Sequence, residues 1–484
     1  MVLLQRVKRK QIWIGVGMML FALLNMGILA QAETAEAWGK RALSIQNRID
    51  HDAPFYETTW PGTHNSFANA DDDNLNADWT NQSMSLKQQL DSGIRELVFD
   101  VHYDNSAVRV CHNNSGVQIF GLGECIDGYT GNRKLSNALD DLVEWLDDGH
   151  RDEVILLKVE LTQSAKNNIN KVHKKIDNID EEYYLPSAVS YHDDADYGCT
   201  LLPATLTKSK VLASGKNIVL FGSDCYSNGR FHDRVFSTDG LMEDYSDPDD
   251  VSDIRANTTD MTRVKDGYTK GGVLYGSGTL DSGKTKLRPS TVASYLSAGL
   301  NIFETYGFGA EGSSWKADGE YPVSAEDLVW SWDDSSLELN GSGSCVVLGD
   351  SSDRFHDIAC TESYVAACRK LVDSAGERAY GEWALTETAV SFSDAENACS
   401  SVDDGEYVFA TPRNKVELEK LVAIRNNDNI ATNLWLNYQQ IDDTWLADIG
   451  EADEEMLVQC YAGGSQGVCS VINEYLNLLD NSKI

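Results

Sequence analysis

Between Phe55 and Gly307 short strand-like apolar runs alternate with helical stretches, and this alternation restricts the fold more than any other feature of the chain. Strand-like runs end near His64 and span Leu97–His102, Ala107–His112, Val154–Glu160 and Asn217–Gly222, with a last one carrying Glu304 and Tyr306 on one face. Between them lie stretches with helical spacing: Ser83–Ser92, closed by Gly93, then Lys134–Asp148 with Leu135, Leu139, Leu142, Val143 and Leu146, then Ser164–Ile179. Strands that alternate with helices through such a length predict an α/β fold, a TIM-type barrel with parallel strands. Residues 33–54 read as a helical lead-in, Asn69–Trp79 as an acidic loop, and 227–285 as loop-rich.

The strand ends carry the chemistry. Val98, Asp100 and His102 alternate onto one face, as do Val108, Val110 and His112, and Lys158 and Glu160 share a face at the end of their run. Parallel barrels build their active sites at the C-terminal ends of their strands. Two histidines there, with a carboxylate between them, suit general acid–base catalysis, one imidazole taking a proton while the other gives one.

The segments PGTHNSF (Pro61–Phe67), GIR-x-L-x-x-D (Gly93–Asp100) and V-x-V-CH (Val108–His112) resemble the X-domain superfamily of phosphatidylinositol-specific phospholipases C. The resemblance runs from about Phe55 to Gly307 and rests on the ordered set His64, Asp100, His112 and Glu160. It implies exported phosphodiester cleavage, with His64 as general base toward an inositol 2-hydroxyl and His112 as general acid toward the leaving diacylglycerol oxygen. The product would be a cyclic inositol phosphate. Asn65, Asp100 and Glu160 fall where the calcium-dependent branch keeps metal ligands, and oxygen donors of this kind suit Ca2+. Lys158, Glu304 and Tyr306 are the candidate substrate-binding residues; Lys158 is placed equally well as a partner of Glu160. Arg95, off the Asp100 face, is expected to make a structural salt bridge.

Several departures from the family pattern are specific. Val98 stands where the eukaryotic enzymes have a carboxylate. Asp100 stands near the position of an arginine in the metal-independent bacterial branch. No Asp is in register on the last strand, where Glu304 and Tyr306 are the nearest matches, and Ser223-Asp224 follows Asn217–Gly222 in place of an inositol-contacting arginine. These leave a second reading, a catalytically inactive barrel acting in binding or adhesion. A sphingomyelin or lysophospholipid enzyme would carry Glu-x-Asp where this chain has Val98-Phe99-Asp100.

The first 32 residues resemble a signal peptide: Arg6, Lys8, Arg9 and Lys10, then apolar Ile12–Ala30, then Ala30-Gln31-Ala32 as a small-x-small cleavage site. The same apolar run is long enough for an uncleaved anchor. A secreted or bacterial envelope protein follows. The 484 residues carry 40 basic and 76 acidic side chains, a net charge of −36. Removing 1–32 leaves 36 basic residues and a net charge of −40, which argues against nucleic acid as a partner. A phospholipid or other phosphodiester at a membrane surface remains, though charge alone would not hold the protein there. Ten cysteines in an exported chain suggest disulfides, with Cys111–Cys125 and Cys199–Cys225 proposed by proximity.

On this reading the barrel spans 33–315. From Leu328 the character changes, and 325–450 is similar to a C-type-lectin-like domain, a small disulfide-bonded α+β fold. Trp330-x-Trp332 and Cys345–Lys370 look like its C-terminal half, whereas Trp383–Cys399, Ala410–Leu421 and Asn433–Trp445 look like its N-terminal half. The order is reversed, so the resemblance implies one domain with permuted halves, pairing Cys345 with Cys360 and Cys368 with Cys399; two incomplete units are the alternative. No EPN or QPD tripeptide occurs, and His356-Asp357 only loosely matches the WND element, which favours a structural or protein-contact role over glycan binding. The tryptophans of this region are expected in its core. Residues 451–484, with Cys460 and Cys469, read as a stapled tail.

Overall fold

A computed structural model describes residues 34–447 apart from 74–79, 113–123, 128–130, 189–193, 196–198, 204, 223–229, 238–241, 246–260, 266–286, 311–320, 337–342, 371–380 and 442–443. The leader 1–32, the tail 451–484 and Cys225 therefore lie outside the described residues.

Among the described residues, eight strands form the parallel path of a 10-stranded curled sheet in the first part of the chain. They are β1 (Trp60–Thr63), β2 (Glu96–Asp104), β4 (Ile155–Leu161), β5 (Ile218–Gly222), β6 (Phe236–Ser237), β7 (Met242–Tyr245), β8 (Met261–Lys265) and β9 (Ile302–Thr305). Their order is β7-β8-β9-β1-β2-β4-β5-β6, and every ladder along that path is parallel. The α/β expectation holds. Helices Leu86–Asp91 and Leu135–Asp147 fall where the spacing places them, the Ser164–Ile179 stretch is broken into Gln163–Lys166, Ile169–Ile176 and a 3-10 turn, and a further helix spans Pro289–Ala298. Gly93 closes its helix with φ +94°, a conformation open to glycine.

One strand runs against expectation. The segment read as a barrel strand ending in His112 is β3 (Ala107–Val110), and it pairs antiparallel with β2, Val101 opposite Val110. Asn105 and Ser106 make the turn, with φ +47° and +63°. Two consecutive residues of positive φ match the right-handed twist of a tight hairpin. His112 therefore follows a returning strand and does not end a parallel one. Its neighbour Cys111 donates its backbone N–H to the Asp100 carbonyl at 3.2 Å, which brings His112 back to the level of Asp100.

Apolar packing divides into an inner and an outer layer. Trp60, Leu156, Val219, Phe221 and Ile302 form a plug inside the curled sheet. Phe99, Leu139, Val172, Tyr295 and Phe303 pack between the sheet and its helices. This outer core continues through Leu328, Trp330 and Trp332 into Val346, Leu436 and Trp445 of the C-terminal region. The C-terminal region is an antiparallel-rich sheet in which Cys345–Leu348 and Ser363–Lys370 both pair with Leu434–Ile441, so segments before and after residue 380 share one sheet. Disulfides Cys345–Cys360 and Cys368–Cys399 are formed, as is Cys111–Cys125 in the barrel. Trp330, Trp332, Trp435 and Trp445 are buried. Trp332 lies in a single bridge to Phe355, not in the strand its Trp-x-Trp spacing suggests.

Helix α1 (Ala35–Gln46), capped by Thr34, ties the two regions. Gln46 donates to Leu328 O at 3.0 Å, and its Oε1 accepts from the backbone of Trp330 (2.7 Å) and Ser331 (3.1 Å). Trp38 Nε1 donates to Ser336 O at 3.0 Å.

Candidate active site

Above the inner plug the side chains turn polar. Parallel register sets Gly62 beside both Glu96 and Glu304, Val98 beside Lys158, and Asp100 beside Glu160. Neighbours in a parallel ladder share a face, so these residues rise in layers toward the C-terminal ends of the strands. Gly62 leaves the space that Glu96 fills: a Cβ there would meet Glu96 Oε2 at 2.2 Å.

His64 follows β1 directly. Its backbone N–H extends the ladder to Thr305 O at 2.9 Å, and its carbonyl accepts from Gln82 Nε2 at 2.7 Å. Gln82 also reaches Thr305 O at 2.9 Å, fixing the ends of β1 and β9 to each other. Ser66 Oγ accepts from Val98 N at 2.9 Å, and Gln89 Nε2 donates to Ser66 O at 2.8 Å. The turn that carries His64 and Asn65 is thus bonded on three sides. Its imidazole sits against Tyr306, ring centroids 4.6 Å apart.

Glu304 organises the site. It is fully buried, and its Oε2 lies 3.2 Å from His64 Nδ1. Its Oε1 meets Arg263 Nη1 at 2.6 Å and Lys158 Nζ at 3.3 Å. Lys158 also pairs with Glu160 at 2.6 Å. Burial alone would raise the Glu304 pKa, but Lys158, the His64 bond and Arg263 outweigh it and hold the carboxyl well below its usual range. Glu160 is likewise held down by Lys158 against the effect of burial. Burial works against the Lys158 ammonium, and Glu304 more than restores it. The result is an anionic Glu304 that holds one ring nitrogen of His64, with two cations alongside.

Two groups at this level have no protein partner. The Asn65 carboxamide is 1% exposed, has neither its nitrogen nor its oxygen bonded, and sits at φ +48°. A buried, unbonded amide on left-handed backbone is costly to the fold. Glu96 is fully buried with both carboxyl oxygens unbonded; burial first, then the charge of Glu304, raises its pKa well above the usual range.

The sequence-based candidates therefore separate. His64, Lys158, Glu160, Glu304 and Tyr306 are joined in one network. Asp100 lies beside Glu160 in register, half-buried, and His112 is half-buried where the chain returns to Asp100. Arg95 forms the structural salt bridge expected of it, Nε to Glu153 at 3.0 Å, at the opposite end of the sheet. Arg263 was missed. It lies in a stretch read as loop, where Met261–Lys265 alternates with only Met261 and Val264 apolar. The Cys199–Cys225 pairing falls partly outside the described residues.

A family profile described as the Rv2075c PI-PLC-like domain matches residues 25–270. The uncharacterized protein Rv2075c of Mycobacterium tuberculosis is 27% identical over 429 residues, covering 83% of this chain and 80% of the relative. Among solved structures, the phosphatidylinositol-specific phospholipase C of Listeria monocytogenes aligns over 59% of this chain and 96% of its own, with 13% identity and a TM-score of 0.37. The corresponding enzyme of Staphylococcus aureus aligns over 60% and 98%, with 14% identity and a TM-score of 0.38.

Proposed function

The chain belongs to the Rv2075c PI-PLC-like domain family, and from that premise we propose that it is an exported phosphodiesterase of the phosphatidylinositol-specific phospholipase C type. The observation that carries the proposal is the His64–Glu304 bond with Lys158 and Arg263 on the same carboxylate. Glu304 fixes the His64 ring so that its second nitrogen takes the proton of a hydroxyl adjacent to the phosphodiester. The hydroxyl oxygen then attacks phosphorus, and His112 protonates the departing oxygen. The ring-closed product is a cyclic phosphate. Arg263 and Lys158 supply positive charge where the phosphoryl oxygens gain negative charge.

Calcium is part of the proposal. Asn65 offers a carboxamide with no protein partner, and Asp100 and Glu160 are neighbours in register at partly exposed strand ends, a set of oxygen donors that fits a hard cation. When bound there, the ion would neutralise charge on the phosphate. A second reading, a barrel without turnover that serves recognition, is favoured by one observation: Lys158 and Arg263 already neutralise Glu304, so a phosphate must compete for them.

For the C-terminal region we adopt one permuted C-type-lectin-like unit with a structural or protein-contact role. It is supported by both disulfides that the permuted order implies and by the single sheet that its two segments share. Export agrees with the disulfides, and no helix among the described residues is long and apolar enough to cross a membrane.

The test is turnover of phosphatidylinositol vesicles by the mature protein, with calcium and with chelator, beside His64→Ala and His112→Ala. Turnover abolished by both substitutions and suppressed by chelator supports the whole mechanism. Turnover that resists chelator retains the His pair and removes the metal. A folded protein without turnover on any phosphodiester headgroup overturns the enzyme in favour of recognition.

A further inference from the structure

One step beyond Asp100 on β2 lies a cluster that the catalytic reading does not use. His102 is fully buried, and a ring nitrogen of His102, Cys111 Sγ and Cys125 Sγ lie within 4.8 Å of one another. Both cysteines are buried and joined in a disulfide. His102 Nδ1 is held by Glu124 Oε2 at 2.7 Å, and Glu124 is itself bonded by Ser164 Oγ at 2.7 Å and donates its backbone N–H to Asp104 at 3.3 Å. With Nδ1 occupied, the remaining nitrogen is Nε2, and it is buried without a partner.

A carboxylate on one imidazole nitrogen is how proteins orient a histidine toward a metal, and this ring lies beside both sulfurs. Two thiolates and an imidazole are the donor set of soft or borderline ions, zinc above all, and three such ligands leave a fourth position open. While the disulfide is intact neither sulfur can serve. We propose that His102, Cys111 and Cys125 form a redox-gated site for a zinc-type divalent ion, opened when an external dithiol reduces the Cys111–Cys125 bond.

The chemistry balances in two steps. A thiolate of the dithiol attacks one sulfur of the disulfide, the resulting mixed disulfide is resolved by the second thiol, and the dithiol leaves as its own disulfide. Cys111 and Cys125 gain two electrons and two protons. The ion then displaces both protons and binds two thiolates and His102 Nε2. Metal bonds take the place of the sulfur–sulfur bond, so Cys111 stays anchored beside Asp100 in both states. The ligands are soft where Asn65, Asp100 and Glu160 are hard, and the site stands whether or not the barrel turns over.

The test uses the full mature chain, reduced without oxygen by a phosphine, freed of reductant and titrated with Co2+ alone. Wild type is expected to bind one equivalent more, with a thiolate-to-cobalt charge-transfer band, than a Cys111→Ser/Cys125→Ser variant treated in the same way; the other cysteines are common to both. The oxidised protein should show no such band. Glu124→Gln should weaken that equivalent by about 10- to 100-fold. Alkylation followed by mass mapping reads the same site in wild type without a variant: saturating Co2+ should shield Cys111 and Cys125. Equal cobalt uptake by wild type and the double variant overturns the proposal, as does alkylation of both cysteines under saturating Co2+.

Discussion

Glu153 and Glu304 are both fully buried glutamates, each with two cationic partners, at opposite ends of the same sheet. Glu153 lies below β4. Its oxygens meet Arg95 Nε at 3.0 Å and Arg48 Nε at 3.2 Å, and its carbonyl accepts from Asn217 at 2.8 Å. Arg95 in turn gives Nη1 to the carbonyls of Leu90 and Ile94, and its guanidinium lies 4.9 Å over the Trp145 ring. Burial raises the Glu153 pKa, but Arg95, by charge and hydrogen bond, and then Arg48 bring it down to about 2. Glu304 is also held well below the usual carboxylate range, but in different company. One partner is an imidazole, another shares itself with the 39%-exposed side chain of Glu160, and the neighbouring Asn65 and Glu96 are unsatisfied. Burying a charge is therefore no mark of function. Glu153 closes its bonds on itself, whereas the groups around Glu304 leave bonding capacity that only a ligand or a proton can use.

The difference can be tested from the largest effect downward. Glu304→Gln should lower turnover by about 100- to 10,000-fold, the range for losing an oriented acid–base group, read as kcat on vesicles. Glu153→Gln should leave turnover per folded molecule unchanged but reduce stability by about 3–5 kcal/mol in urea titrations, because Arg95 is left buried and unpaired. Glu304→Gln should cost less stability than that, since Lys158 keeps Glu160; equal losses would erase the distinction between the two ends. Acid separates them further. A carboxyl held at about 2 against an ordinary 4.5 stabilises the fold above pH 4.5, and that contribution is lost as pH falls toward 2. The stability gap between wild type and Glu153→Gln should therefore shrink by roughly 3 kcal/mol across that window. Glu96→Gln should be the mildest change, under about 1 kcal/mol in the same titrations, because burial and Glu304 both favour the uncharged carboxyl that glutamine mimics. A loss of several kcal/mol there would mean that Glu96 carries charge.

What the sequence made legible follows from what periodicity can report. Apolar runs with period two disclose which residues share a face, so His64, Lys158, Glu160 and Glu304 could be placed together. They do not disclose strand direction, and β3 was taken as parallel. The local sign was Asn105-Ser106, a two-residue turn between alternating runs. Arg263 escaped because β8 is short and polar, with only Met261 and Val264 apolar, so its alternation does not stand out. The C-terminal disulfides came from resemblance alone; spacing does not choose among the pairings that ten cysteines allow.

Helix α1 is among the first described segments to be synthesised, yet its buried anchor Gln46 bonds Leu328, Trp330 and Ser331, between 282 and 285 residues downstream. Contacts so distant in sequence form late. Until roughly two thirds of the chain exists, Gln46 has none of these partners, and the outer core cannot close over the helix. The clasp that ties the opening helix to the second region therefore engages only after β9, the last strand of the curled sheet, has been made.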